Sequence, residues 1–119
     1  MTEIVGHIED KVLVLLGLEA PDDFNIYLGE QNIDHMIETH PFDYNKYGCD
    51  IELILSQPDF VGYHNDSIEY VKEYQIDDEF VKVAVRVARS GKYYARTLFA
   101  LNKERVESSL EKGFLFRYE

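Results

Sequence analysis

The stretch Phe80-Val81-Lys82-Val83-Ala84-Val85-Arg86-Val87-Ala88 decides the fold of this chain. Valine occupies every second position from 81 to 87, and the residues between the valines are polar or small. A period of two is typical of a strand that buries one face and leaves the other accessible. We therefore predict a strand over residues 80–88 whose valines face a core.

A second strand follows after a turn. Ser90-Gly91 indicates a tight two-residue turn, and residues 93–101 continue as the partner strand. This pairing puts Arg86 opposite Ala95 and Ala84 opposite Thr97, so one face carries Lys82, Ala84, Arg86, Tyr93, Ala95, Thr97 and Phe99. A loop one residue longer would slip the register and bring Arg96 to that face instead.

Further elements extend outward from this hairpin. Alternation begins again at Ser67 and predicts a preceding strand. Asn102 is a suitable N-cap for a helix over residues 103–112 that ends at Gly113, and a short strand over 114–118 closes the sequence.

The first half of the chain is mainly helical. Residues 31–39 have helical periodicity and end at His40-Pro41, and a second helix runs from Asp43 or Tyr44 to about Ser56 with Asp43 as N-cap. Residues 4–18 form either a hairpin or a strand with a short helix, and a short strand over 24–28 follows a turn at Pro21-Asp22-Asp23. Helices followed by antiparallel strands indicate an α+β fold.

Composition limits the class of protein. A chain of 119 residues and 13.9 kDa is one domain, residues 1–119. Its one cysteine, Cys49, excludes an internal disulfide, and no apolar run approaches the ~20 residues of a membrane span, so we expect a cytoplasmic protein.

The charge is unevenly distributed along the chain. The net charge is −11, but residues 1–80 hold 19 acidic and 3 basic residues, whereas residues 81–119 hold 4 acidic and 9 basic ones. Such asymmetry indicates a polyanion partner for the basic part. A solvated acidic surface that confers solubility is the alternative.

Cations and hydroxyls on one sheet face suit phosphate binding. Cleavage of RNA by its own 2′-hydroxyl needs a base, an acid and cations, and histidine is the natural proton carrier. His35 and His40 flank the end of the first predicted helix. An ordinary surface histidine and a solvated sheet face are the alternative interpretations. The two histidines are five residues apart and Cys49 has no partner cysteine, so we expect neither a metal nor a cofactor.

Several motifs in order resemble one family over about residues 24–101. They are Ile33-Asp34-His35, His40-Pro41, Ile51-Glu52-Leu53-Ile54-Leu55, Pro58-Asp59-Phe60-Val61-Gly62, Ser67-Ile68-Glu69-Tyr70, Val83-Ala84-Val85-Arg86 and Tyr93-Tyr94-Ala95-Arg96-Thr97-Leu98. Together they resemble the phage and mobile-element nuclease domains of the Barnase–EndoU–colicin–RelE (BECR) superfamily.

The resemblance implies N-terminal helices packed on an antiparallel sheet of about four strands and metal-independent RNA cleavage. It implies His35 for proton transfer, Arg86 and Arg96 for phosphate stabilisation and Thr97 for a hydrogen bond to phosphate. The second choices are His40, Lys72 and Tyr94. It also implies a phage or mobile-element toxin or effector that acts on RNA, such as tRNA, and an inhibitor as partner.

Two other functions stay open. One is an inactive module that binds a basic partner protein through its acidic surface. The other is an enzyme that uses the same basic face on a small phosphorylated or nucleotide ligand.

Overall fold

A computed structural model describes residues 2–118 of the chain. The strands are β1 (Glu3–His7), β2 (Asn25–Leu28), β3 (Phe60–His64), β4 (Ser67–Tyr74), β5 (Glu79–Val87), β6 (Tyr93–Leu101) and β7 (Leu115–Arg117). The helices are α1 (Asp10–Leu16), α2 (Glu30–Thr39), α3 (Pro41–Tyr47), α4 (Ile51–Ser56) and α5 (Lys103–Glu111), with a 3-10 turn over Gly48–Asp50. The α+β class is thus confirmed.

The sheet is larger than the predicted four strands. Within residues 2–118 it has seven strands in the order β1-β2-β6-β5-β4-β3-β7. It is also mixed, because β2 pairs with β6 in parallel while the other pairs are antiparallel. The first segment is therefore a strand followed by a helix and not a hairpin.

The two faces of the sheet differ in character. Val81, Val83 and Val85 are fully buried and belong to the main core, into which the helices contribute Met36 and Ile54. We call this side the core face and the side of Lys82, Ala84 and Arg86 the arginine face. A second, smaller cluster joins α5 to the arginine face through residues including Phe80, Leu101 and Val106. The rest of that face stays accessible.

The hairpin between β5 and β6 departs from the predicted two-residue turn. The Ala88 N–H donates to the Lys92 carbonyl at 2.8 Å and closes a loop of residues 89–91, with Gly91 at φ +88°. Three-residue loops of this kind need a left-handed residue at the last position, which glycine adopts without strain. The register at the turn consequently shifts by one residue, so that Arg86 pairs with Tyr94 and not with Ala95.

A β-bulge then restores the predicted register. Ala84 pairs with Thr97 as expected, while Val85 pairs with Ala95, so β6 carries one extra residue at this point. Ala95 is fully buried and Arg96 is exposed. The prediction that Tyr93 and Ala95 lie on the arginine face is therefore wrong, because Tyr94 and Arg96 take those places.

The predicted second helix is broken into α3, the 3-10 turn and α4. Asp43 is not its N-cap, because Pro41 opens α3 two residues earlier. The Asp43 carboxylate instead accepts a hydrogen bond from the Ala100 N–H of β6 at 3.0 Å. Along β6, β2 pairs only with Tyr93 and Tyr94, and α2 and α3 cover the rest of this edge of β6.

None of the helices over residues 2–118 combines the length and the apolar character that crossing a lipid bilayer requires.

Candidate functional site

A cleft of about 770 Å³ opens on the arginine face, between the first turns of α2 and the hairpin of β5 and β6. Its lining combines cations, an imidazole, a phenol and polar groups: Thr2, Gly29, Glu30, Gln31, Asn32, His35, Arg86, Ala88, Tyr94 and Arg96. Three residues predicted from the sequence, together with the second choice Tyr94, thus line one cavity.

The strands place the two guanidinium groups. Arg86 lies near the end of β5, and the bulge in β6 brings Arg96 to the same cleft. Arg86 has a 3.9 Å contact with the Asp66 carboxylate, and both side chains are largely exposed. No hydrogen bond or ion pair within residues 2–118 engages the Arg96 side chain. Their donors are accordingly available to an anion.

α2 places the imidazole of His35 opposite these cations. His35 is exposed one turn into α2, and nothing in the described chain hydrogen-bonds its ring. Gly29 precedes α2 as its N-cap, and its N–H donates to the Asn32 side chain at 2.9 Å. The positive end of the helix dipole therefore lies beside the cleft and adds to the field of the arginines.

Tyr94 is supported from its outer side by β2. The Tyr27 ring packs against the Tyr94 ring with centroids 5.7 Å apart. The Tyr27 hydroxyl donates to the Asp23 carboxylate at 2.6 Å, and this bond, with the Asn25 N–H, holds the pKa of Asp23 below its ordinary value. The Tyr94 hydroxyl itself has no hydrogen bond among the described residues.

The remaining predicted residues lie outside the cleft lining. Thr97 is half-buried opposite Ala84, on the arginine face but beyond the bulge. The His40 ring stacks on Phe99 with centroids 5.0 Å apart. Lys72 donates to the Gln57 carbonyl at 2.9 Å, on another part of the molecule.

Sequence reasoning missed the first turn of α2 as part of the site. Glu30, Gln31 and Asn32 line the cleft because β2 runs parallel beside β6 and delivers the following helix to it. The sequence signal for this part of the site was limited to Gly29 ahead of a helical segment, and no feature of the sequence indicated Thr2.

In the part of the chain that the structure describes, no group of three or more His, Cys, Asp or Glu residues is arranged to hold a metal ion.

The arrangement can position a phosphodiester and move a proton. Two arginines offer planar donor forks for phosphate oxygens, and the imidazole on the facing helix has ring nitrogens that can accept or donate a proton. Transfer of a phosphoryl group to a hydroxyl of the same substrate requires acid–base groups that face cations across one cavity.

Comparison with known proteins identifies a nuclease family. The family model of the phage-Barnase-EndoU-ColicinE5/D-RelE like nuclease3 matches residues 2–108. Neither a curated protein nor a solved structure matches the chain. The family match extends beyond the resemblance over residues 24–101 at both ends, and it includes every residue that lines the cleft. The chain therefore belongs to the family of phage-Barnase-EndoU-ColicinE5/D-RelE like nucleases.

Proposed function

We propose that this nuclease is an endoribonuclease that cuts RNA by transesterification without a metal ion. The observation that supports this most directly is the shared cleft of His35, Arg86 and Arg96. A base and its phosphate clamp must reach one scissile group, and the cavity that these residues share supports such an arrangement.

The proposed reaction begins at the ribose 2′-hydroxyl. His35 takes the proton of that hydroxyl as its oxygen attacks the adjacent phosphorus. The bond from phosphorus to the 5′-oxygen then breaks, and the Tyr94 hydroxyl gives its proton to the leaving oxygen. The products are a 2′,3′-cyclic phosphate and a free 5′-hydroxyl; solvent then accepts the extra proton of His35 and restores the proton of Tyr94.

Arg86 and Arg96 stabilise the phosphorane in this scheme. Negative charge grows on the non-bridging oxygens as the 2′-oxygen attacks, and guanidinium donors placed beforehand stabilise it most at that moment. Thr97 lies next in the chain to Arg96, and we assign it a hydrogen bond to a flanking phosphate. We assign no step to His40, whose ring is stacked on Phe99, or to Lys72, which donates to the Gln57 carbonyl on another part of the molecule.

The proposed substrate is cellular RNA. The family description links these nucleases to phages. We therefore propose a toxin or effector of a phage or mobile element that cuts structured RNA, such as tRNA, in the cytoplasm. A cell that produces such an enzyme needs an inhibitor protein to restrain it.

The wild-type protein should cut RNA in the presence of EDTA. We expect 2′,3′-cyclic phosphate ends, because the 2′-oxygen is the nucleophile, and no cleavage of DNA of the same sequence, because DNA lacks that hydroxyl. Total RNA and a matched DNA oligonucleotide, followed by gel electrophoresis and mass spectrometry of the ends, provide the measurement. RNA that stays intact at high enzyme concentration would exclude this function and favour the acidic binding module.

Arg96→Gln should lower kcat by about 100-fold, because it removes a donor that acts on the developing charge. The kcat of Arg96→Lys should lie between those of Arg96→Gln and the wild type, because lysine keeps the charge but lacks the planar fork of donors. Arg117→Gln on β7, at the far edge of the sheet, is the matched control and should keep wild-type kcat. Equal rates for Arg96→Gln and Arg117→Gln would remove Arg96 from the proposed mechanism.

A further inference from the structure

A second cavity of about 400 Å³ lies on the same arginine face, beneath α5. His64 of β3, Glu69 of β4 and Lys82 of β5 line its sheet side, with Phe114 beside His64, and α5 with Lys112 just after it lines the other side. The mechanism proposed above uses none of them.

One wall of this second cavity is a fixed ion pair. Lys82 and Glu69 are 3.1 Å apart, and their side chains are only 17% and 11% exposed. Their charges neutralise each other, so this wall offers little to an anion. It is nevertheless rigid, because separating a largely buried pair leaves one charge without compensation.

The opposite wall carries the cations that are available. Arg105 and Lys112 are exposed on and just after α5, and neither side chain has a hydrogen bond or ion pair within residues 2–118. Glu104 also lines the cavity and offsets part of their charge. Two free cations beside hydroxyls, those of Ser108 and Ser109, make this wall suitable for a phosphate.

An aromatic pair lies at the sheet side of the same cavity. The His64 ring stacks on the Phe114 ring with centroids 4.4 Å apart and an angle of 29° between the planes. The Phe114 side chain remains 38% exposed. A flat, partly exposed ring beside cations is the combination that binds unpaired bases of single-stranded nucleic acid.

The register of the sheet connects the two cavities directly. His64 pairs with Ser67, Ser67 pairs with Arg86, and Arg86 pairs with Tyr94, so these four residues form one row across the strands. The second cavity lies at the His64 end and the cleft at the Tyr94 end. Two strand spacings, about 10 Å, separate His64 from Arg86. Ser67 in the row and Ala84 beside it have small side chains.

We infer that single-stranded RNA crosses the strands along this row, with its scissile phosphate in the cleft and a neighbouring nucleotide in the second cavity. This inference rests on the proposed function for the identity of the polyanion. Arg105 and Lys112 contact the phosphate of that nucleotide, and its base stacks on Phe114. Unpaired RNA fits because its bases are free to stack, whereas those of a duplex are not.

The test measures binding separately from cleavage. Fully 2′-O-methylated oligonucleotides lack the nucleophile, so their affinities can be measured by fluorescence anisotropy without turnover. For the double variant Arg105→Gln, Lys112→Gln we expect about tenfold weaker binding of a hexanucleotide and unchanged binding of a dinucleotide, which occupies the cleft alone. The slope of log K against log salt for the hexanucleotide should become shallower by about one, because the contact with one phosphate is lost.

A matched double variant removes the same charge elsewhere. Lys11→Gln, Lys103→Gln changes two lysines outside both cavities and should bind both lengths nearly as the wild type does. Equal affinity of the wild type and the Arg105, Lys112 variant for the hexanucleotide would overturn the inference, and so would an equal loss with both lengths. If the wild type binds in this length-dependent way but leaves RNA intact, the proposed cleavage is refuted, whereas the inferred path of the RNA across the strands stands.

Discussion

Replacement of His35 by alanine is expected to lower kcat for RNA cleavage by about 1,000-fold, the largest kinetic effect of any single substitution in the cleft. The imidazole is the group that takes the proton of the 2′-hydroxyl in the proposed mechanism. Its position on the exposed face of α2 means that alanine leaves the packing of the helix unchanged. KM should therefore change little, because the arginines that bind the phosphate remain.

The measurement is single-turnover cleavage of a labelled RNA oligonucleotide by the wild type and the variant between pH 5 and pH 9. His7→Ala is the matched control, since His7 is also exposed and lies outside the cleft. Added imidazole should restore part of the lost rate of His35→Ala and leave His7→Ala unaffected. Loss of activity in both variants, or in neither, would show that His35 is not the proton carrier.

Replacement of Gly62 by alanine is expected to destabilise the fold by about 3 kcal/mol. Gly62 pairs with Leu115 where β3 meets β7, and a Cβ at this position would overlap the Phe114 carbonyl oxygen. The Phe114 carbonyl is part of the backbone and cannot move aside as the end of a flexible side chain can. β7 would therefore have to separate from β3. That movement would also withdraw Leu115, which is 2% exposed, from the smaller hydrophobic cluster.

Thermal and urea denaturation monitored by circular dichroism would measure this loss, which corresponds to a decrease in Tm of roughly 10 °C for a domain of this size. Tyr63→Ala is the matched control, because it introduces the same residue at the next position of β3, where the side chain is 40% exposed. An unfolding midpoint of Gly62→Ala equal to that of Tyr63→Ala would mean that β7 does not approach β3 as closely as described.

The strands at the centre of the sheet could be predicted because one of their faces is buried. The valines of β5 alternate without interruption, and burial of that face sets the side on which each neighbour lies. The helix over residues 31–39 was equally predictable from its spacing. Both signals are local, since each depends on residues close together in the chain.

The outer strands could not be predicted in the same way. β2 is four residues long and pairs in parallel with a strand more than sixty residues away, and β7 is three residues long. Segments this short carry little periodicity, so their place in the sheet depends on tertiary contacts. The break between α3 and α4 falls at Gly48, where an added Cβ would approach the Tyr44 ring to 2.9 Å.

The residue types of the candidate site could be predicted from the sequence, but the backbone features that bring them together could not. The chemistry of His35, Arg86 and Arg96 is visible in the sequence, whereas the bulge that presents Arg96 is not, because one extra residue in a strand has no distinct sequence pattern. The contribution of the first turn of α2 depends on the parallel pairing of β2 with β6, which no local sequence pattern indicates.

The bulge in β6 makes the composition of the cleft depend on where the hairpin turns as well as on residue type. The same residues joined by a two-residue turn with no bulge would keep Ala84 opposite Thr97 and would exchange the inward and outward positions of Tyr93 and Tyr94. The three-residue loop and the bulge together therefore decide which of these two phenols reaches the cleft.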